Sequence, residues 1–270
     1  MNAGAGLAAT VLGIPAAAFA IGLFAPAIPM IHASTLKYHA EQWKRRELPI
    51  PEDETLLAGM YLDVIPTGLQ DPAGIPRRKP IRPVPWSEAI GTVPGWLAAP
   101  SSRQRAYVTL GTVAYGAVEV LRRALDDLGG LDLDVLVAVG PEGDPTLLGS
   151  VPDSVHVERF VDQSRVLPLV DVVVHHGGTG TMLGCLANGL PQLILPQGAD
   201  QFHNGGLVTD AGAGMMLHND DQLPGAIAEQ ATALLADGPE RAAARRFRES
   251  IAAQPAPADV VPELVRFAGG

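Results

Sequence analysis

Two histidines and a glycine-rich turn, His175-His176-Gly177-Gly178-Thr179-Gly180-Thr181, have the residue types that hold an anion. The glycines let the backbone approach a ligand closely. Thr179 and Thr181 add hydroxyl donors, and the His176 ring can donate to a phosphate oxygen. Before the turn, Asp171-Val172-Val173-Val174 is a β-branched run long enough for a buried strand. After it, Thr181 to Asn188 reads as a short apolar helix, stopped by Gly189 and Pro191. Gln192 to Leu195 is the next strand, closed by Pro196. Together these make a βαβ unit with parallel strands and a right-handed crossover. The turn then sits at the carboxyl end of a strand and the amino end of a helix, where free N–H groups and the helix dipole favour a phosphate. A diphosphate site is the expectation; a purely structural turn has the same need for glycine. The spacing is neither a Walker A loop, which ends in Gly-Lys-Ser/Thr, nor GxGxxG, since Leu183 follows Met182.

The elements that position this turn follow from strand–helix alternation after Ser101. Strands are expected at Ala106–Leu110, Val135–Val139 and Val155–Val157, and helices at Ala117–Leu128, Arg165–Val170 and Phe202–Ala211. Further helices are expected at Pro224–Leu235, Pro239–Ala253 and Ala258–Phe267. This spacing predicts a doubly wound parallel sheet, which binds ligands beyond the carboxyl ends of its strands. The loops leaving those ends carry Gly111 and Thr112, Gly140-Pro141-Glu142, Phe160-Val161-Asp162-Gln163, the His175–Thr181 turn, and Asp200 with Gln201. Thr112 can place a hydroxyl near a phosphate. Phe160 offers a ring face to a base, and the Val161 backbone can bond that base's edge. Asp200 and Gln201 suit sugar hydroxyls.

Composition bounds the rest. A chain of 270 residues with 47% hydrophobic and 18% charged residues is globular. A net charge of −10 argues against a nucleic-acid partner, and Arg77-Arg78-Lys79, the densest basic run, reads as a solvated linker. The one cysteine, Cys185, excludes an internal disulfide and fits a reducing, cytoplasmic compartment; its place on an apolar helix face points to core packing.

Residues 1–36 hold no Asp, Glu, Lys or Arg, so a membrane anchor or signal has to be weighed. Pro15, Pro26 and Pro29 interrupt the stretch and no basic region opens it. A helix over Gly4–Leu12, a turn at Gly13-Ile14-Pro15 and a buried strand over Ala16–Phe24 fit better, so no membrane contact is expected. An amphipathic helix over 37–60 and a strand at Tyr61–Ile65 follow. Recurrent proline and glycine from Pro66 to Pro100 mark a linker. The expected division is residues 1–100, a partial α/β domain with its linker, and residues 101–270, a nucleotide-sugar-binding domain.

Val108-Thr109-Leu110-Gly111-Thr112, Phe160-Val161-Asp162-Gln163, the His175–Thr181 block and Gly198-Ala199-Asp200-Gln201 with Asn204 occur in an order that resembles family 1 glycosyltransferases of the GT-B fold. The likeness is to the bacterial natural-product branch; it covers roughly Pro80 to the end and, more loosely, Leu12-Gly13-Ile14-Pro15. It implies an α/β, GT-B-type fold with most of the N-terminal acceptor domain lacking. It implies that Gly111, Thr112, His176, Gly177, Gly178, Thr179, Gly180 and Thr181 serve the diphosphate. Phe160 and Val161 would hold the base, and Asp200 and Gln201 the donor sugar. The donor would be a UDP- or dTDP-sugar, with no cofactor and no metal. Two departures stand out: Asp162 where relatives often have proline, which loosens the turn, and Gly184 where many have a ribose-binding glutamate. The family's catalytic base is a histidine of the acceptor domain, and neither His32 nor His39 falls at its place.

Two readings follow. One is an inverting sugar transferase acting on a small hydrophobic acceptor. The other is a non-catalytic nucleotide-sugar-binding or auxiliary protein, with a protein partner or as a homodimer. A metal-using route would need a carboxylate pair such as Asp132-Leu133-Asp134, which should lie on the opposite rim of the sheet.

Overall fold

The computed structural model describes residues 3–24, 37, 40–48, 59–71, 77–85, 93–111, 118–141 and 143–269. Thr112, His32 and His39 lie outside them, as does half of the helix expected over 37–60. Two compact units form: Met1–Pro83 with Ala252–Gly270, and Val84–Ile251.

The first unit carries a parallel sheet ordered β1 (Ala17–Phe19), β2 (Met60–Asp63), β3 (Arg78–Pro80). A helix over Ala3–Leu12 precedes β1, so the expected helix–turn–strand order holds, but the strand is shorter than expected and, with Phe19 exposed, is not the buried strand expected. The basic run is no solvated linker. Arg78 and Lys79 belong to β3, where Arg78 Nε meets the fully buried Asp63 Oδ2 at 2.6 Å. Asp63 Oδ1 also accepts the Ile65 N–H at 3.0 Å. A buried carboxylate needs such partners. Lys79 pairs with Glu263 at 2.5 Å, and the Arg82 N–H donates to Pro255 O. These contacts tie helix Pro257–Phe267 to the first unit, where the sequence had suggested one boundary near Ser101.

The second unit holds six parallel strands in the order β6 (Val155–Glu158), β5 (Leu133–Ala138), β4 (Gln104–Thr109), β7 (Val172–His175), β8 (Gln192–Ile194), β9 (Gly214–Met216). Successive strand residues point to opposite faces. Val108, Val135, Val137, Val172 and Val174 pack with Leu121 and Leu125 of helix Val118–Leu128 and Ile227 of helix Ala226–Leu235. Tyr107, Leu136 and Val173 face the other way, onto Leu97, Val166, Leu167 and Cys185. Both faces are covered, which is the doubly wound arrangement expected. Cys185 is a buried core residue whose thiol burial pushes up and keeps protonated.

Candidate functional site

Strand order reverses direction between β4 and β7, so the loops leaving their carboxyl ends part there and leave a crevice. A cleft of about 370 Å³ lies at this point. The strand order places the cleft wall. Toward β5 and β6 stand Ala138, Gly140, Pro141, Phe160 and Val161; toward β4 and β7 stand Thr109, Gly111, His176, Gly178, Thr179, Gly180 and Thr181. Phe160 is half exposed, a ring face open to a planar ligand, whereas Val161 is buried.

His176 enters the cleft between two glycines. A Cβ on Gly111 would lie 2.6 Å from its Cε1, and one on Gly178 would lie 2.4 Å from its Nε2. Gly111 is also at φ +82°, a backbone open to glycine. Burial holds the His176 ring below the usual imidazole range, opposed by the Asp200 carboxylate, and its Nδ1 is buried without a hydrogen-bond partner. Helix Thr179–Asn188 starts at the cleft, and its N-cap Gly178 supplies no side-chain bond, so no side chain caps the first-turn N–H groups, an arrangement that suits an anion. A Cβ on Gly180 would meet nothing within 4 Å. Among the described residues no neighbour requires glycine there, which fits a backbone kept bare for a ligand.

Gly177 differs from its neighbours and does not line the cleft. Its N–H donates to His175 Nδ1 at 3.0 Å, and its C=O accepts from Asn204 Nδ2 at 2.8 Å. It is at φ +91°, and a Cβ would press on Ile194 at 2.9 Å and Gln201 O at 3.0 Å. Its positive φ and close neighbours account for glycine here, and its N–H is turned to His175 and not to the cleft. His175, given no role from sequence, is fully buried; burial drives its imidazole down to about 3, and Nε2 meets Gln192 Oε1 at 2.8 Å.

Asp200 and Gln201, expected at the donor sugar, are not part of the cleft wall. Asp200 Oδ2 accepts from Thr179 Oγ1 at 3.4 Å. Gln201 Oε1 accepts the N–H groups of Gln197 at 2.7 Å and Gly198 at 3.1 Å, so its carbonyl closes its own loop. Asp162 does not loosen its turn. Its carboxylate accepts from Ser164 N at 3.0 Å and Ser164 Oγ at 2.6 Å, capping helix Gln163–Val166. At Gly184 a Cβ would fall 2.8 Å from Leu167 Cδ1 and 3.7 Å from Gln163 Nε2, so the position is filled by neighbours. Tyr107, Thr109 and Gln163 line the cleft as well. Only their place at strand ends and in a rim loop hinted at that.

Asp132 and Asp134 stand at the start of β5, on the opposite rim, and both bond Arg103, at 3.1 and 2.9 Å. Among the described residues no cluster of three or more His, Cys, Asp or Glu is arranged to hold a metal, and no helix is long and apolar enough to cross a membrane.

Residues 122–267 match the model of the erythromycin biosynthesis protein CIII-like C-terminal domain. The chain is 36% identical over 208 residues to L-demethylnoviosyl transferase of Streptomyces niveus, covering 75% of this chain and 54% of that protein. It is 32% identical over 224 residues to 10-deoxymethynolide desosaminyltransferase of Streptomyces venezuelae, covering 80% and 51%. The chain thus spans about half the length of the curated relatives it matches. Among solved structures it resembles spinosyn rhamnosyltransferase SpnG, with 28% identity and TM-score 0.83 over 96% of this chain and 69% of that one. It also resembles the Streptomyces sp. SF2575 glycosyltransferase SsfS6 complexed with thymidine diphosphate, with 27% identity and TM-score 0.76 over 97% and 65%. The α/β, GT-B-type fold is the one these enzymes share.

Proposed function

The chain belongs to the erythromycin biosynthesis protein CIII-like family through its C-terminal domain, and from that premise we propose that it is the donor-binding part of a natural-product glycosyltransferase. It would move a sugar from a dTDP- or UDP-sugar to a small hydrophobic acceptor with inversion. A base deprotonates the acceptor hydroxyl, which attacks the anomeric carbon as the nucleoside diphosphate leaves. This chain's share is the leaving group. The first-turn N–H groups of helix Thr179–Asn188, Thr181 and His176 would take up charge as it develops on the diphosphate, without a metal. Phe160 would stack on the base and the Val161 backbone would bond its edge. Asp200 and the amide nitrogen of Gln201 would hold the sugar. Thr112, next to Gly111, would add its hydroxyl. The buried free cysteine fits a reducing cytoplasm.

One observation carries the reading: an exposed aromatic ring and an uncapped helix start line the same cleft at the sheet's switch point. The cleft is formed entirely within the second unit, which also favours the second reading, a chain that binds nucleotide-sugar without turnover.

Calorimetric titration with dTDP and UDP tests the site. Binding is expected, weakened about tenfold or more by His176→Ala as a charge-assisted hydrogen bond is lost. Affinity for neither nucleotide, or the same affinity in the variant, would refute it. A transfer assay with a dTDP-sugar and a macrolide aglycone then separates the readings, since turnover removes the non-catalytic one.

A further inference from the structure

The Gly177 peptide is gripped at both ends by side chains outside the cleft wall. We propose that His175 and Asn204 are positioning residues that set the diphosphate loop in its binding shape before any ligand arrives. The inference rests on the donor-site reading above.

The geometry dictates the tautomer. His175 Nδ1 accepts the Gly177 N–H at 3.0 Å, so the ring proton sits on Nε2, where Gln192 Oε1 accepts it at 2.8 Å. Both ring nitrogens are engaged and the ring is fully buried, so His175 is neither base nor ligand. Asn204, also fully buried, reaches the loop from helix Gln201–Asp210. Its Nδ2 donates to Gly177 O at 2.8 Å and to Thr179 Oγ1 at 3.3 Å, and that hydroxyl donates onward to Asp200 Oδ2 at 3.4 Å. The donors run in one direction, from Asn204 through Thr179 to Asp200. The anion-facing turn and the sugar-side Asp200 are thereby joined into one rigid piece. Gly177 stays at φ +91° because both of its polar groups are held. Removing the ring acceptor strands a buried N–H and lets the turn relax.

Two variants and one spectrum test this. His175→Leu fills the site with an apolar side chain but removes the acceptor; it should weaken dTDP binding about tenfold or more. His175→Asn offers Oδ1 to the same N–H and should stay within about threefold of the parent. The reverse order, Leu tolerated and Asn not, would make His175 a packing residue and overturn the proposal. The ¹⁵N-histidine spectrum of the parent at pH 7 should show His175 bare at Nδ1 and protonated at Nε2. The other tautomer overturns it, and this reading decides the matter if the Leu variant does not fold. If the parent binds neither dTDP nor UDP, the donor-site reading fails. The tautomer and slow exchange of the Gly177 amide still test the clamp: the amide should exchange faster in His175→Leu, and equal exchange sinks it.

Discussion

The two ends of the six-stranded sheet use the same strands and treat polar groups in opposite ways. At the amino ends the carboxylates are paired, although Arg105 Nε is buried without a hydrogen-bond partner. Arg103 spans Asp132 and Asp134, Asp171 Oδ2 accepts the Arg105 N–H at 2.8 Å, and Arg241 donates to Asp171 O at 3.0 Å. At the carboxyl ends, His176 Nδ1, Asn204 Oδ1 and Gln163 Nε2 are buried without partners, and Gly180 faces open space. Buried polar atoms are usually satisfied, and His176 and Gln163 line the cleft, so their unsatisfied atoms are the ones an external partner could reach. One end closes the sheet; the other holds the cleft proposed to take the nucleotide.

Acid should break the carboxyl end first. His175 is held neutral, down to about 3, by full burial, whereas an unfolded histidine titrates near ~6.5. Its folded value is depressed, so its contribution is complete above about pH 6.5 and is lost as pH falls from there toward 3. The slope is about 1.4 kcal/mol per pH unit, or roughly 2–3 kcal/mol between pH 6.5 and 4.5. Denaturant unfolding at those two pH values should show this loss. His175→Gln, which carries no titrating ring, should lose that much less. Identical losses in the two proteins would mean that the ring is not the acid-sensitive part of this end.

Gly180→Ala separates ligand from fold. Among the described residues a Cβ there meets no atom within 4 Å, and alanine in a helical turn should be neutral or add up to ~0.5–1 kcal/mol of stability. Nucleotide affinity should fall about tenfold, because the methyl would stand where a diphosphate approaches the backbone. A variant more stable than the parent and equally tight for dTDP would move the ligand away from this helix start.

Much of the carboxyl end was legible because its signals are local. A β-branched run, a glycine turn and an apolar helix follow one another over Val172–Asn188, and each reads without reference to the rest of the chain. What escaped depends on distant partners. β9, unexpected from the sequence, opens with Gly214, where a Cβ would lie 2.3 Å from Gln192 O; the strand exists because a bare backbone fits against β8. β3 sits in a proline-rich run, and Lys79 finds its partner 184 residues away. Gly177, Gly178 and Gly180 look alike in sequence, yet one is packed from behind, one makes room for His176 and one is open. Gln192 reads only as the first residue of a strand, and its bond to His175 needs β7 and β8 side by side.

The smallest effect is expected at the amino end, and it bears on metal. Asp132-Leu133-Asp134 has the spacing of a cation-binding pair, but the strand direction sets it at the far end from the cleft, with both carboxylates on Arg103. Asp134, 17% exposed, is the more buried partner. Asp132 is 94% exposed, so its pair with Arg103 is a surface one, and such pairs contribute ~1 kcal/mol or less. Replacing Asp132 by Asn should lower unfolding stability by no more than that, and with both carboxylates replaced dTDP affinity should still be the same with and without added Mg²⁺. A carboxylate pair bridging a diphosphate through a metal would behave otherwise: affinity would rise with Mg²⁺ in the parent and collapse in the double variant. That outcome would erase the contrast between the two ends, because the amino end would then take part in holding the ligand.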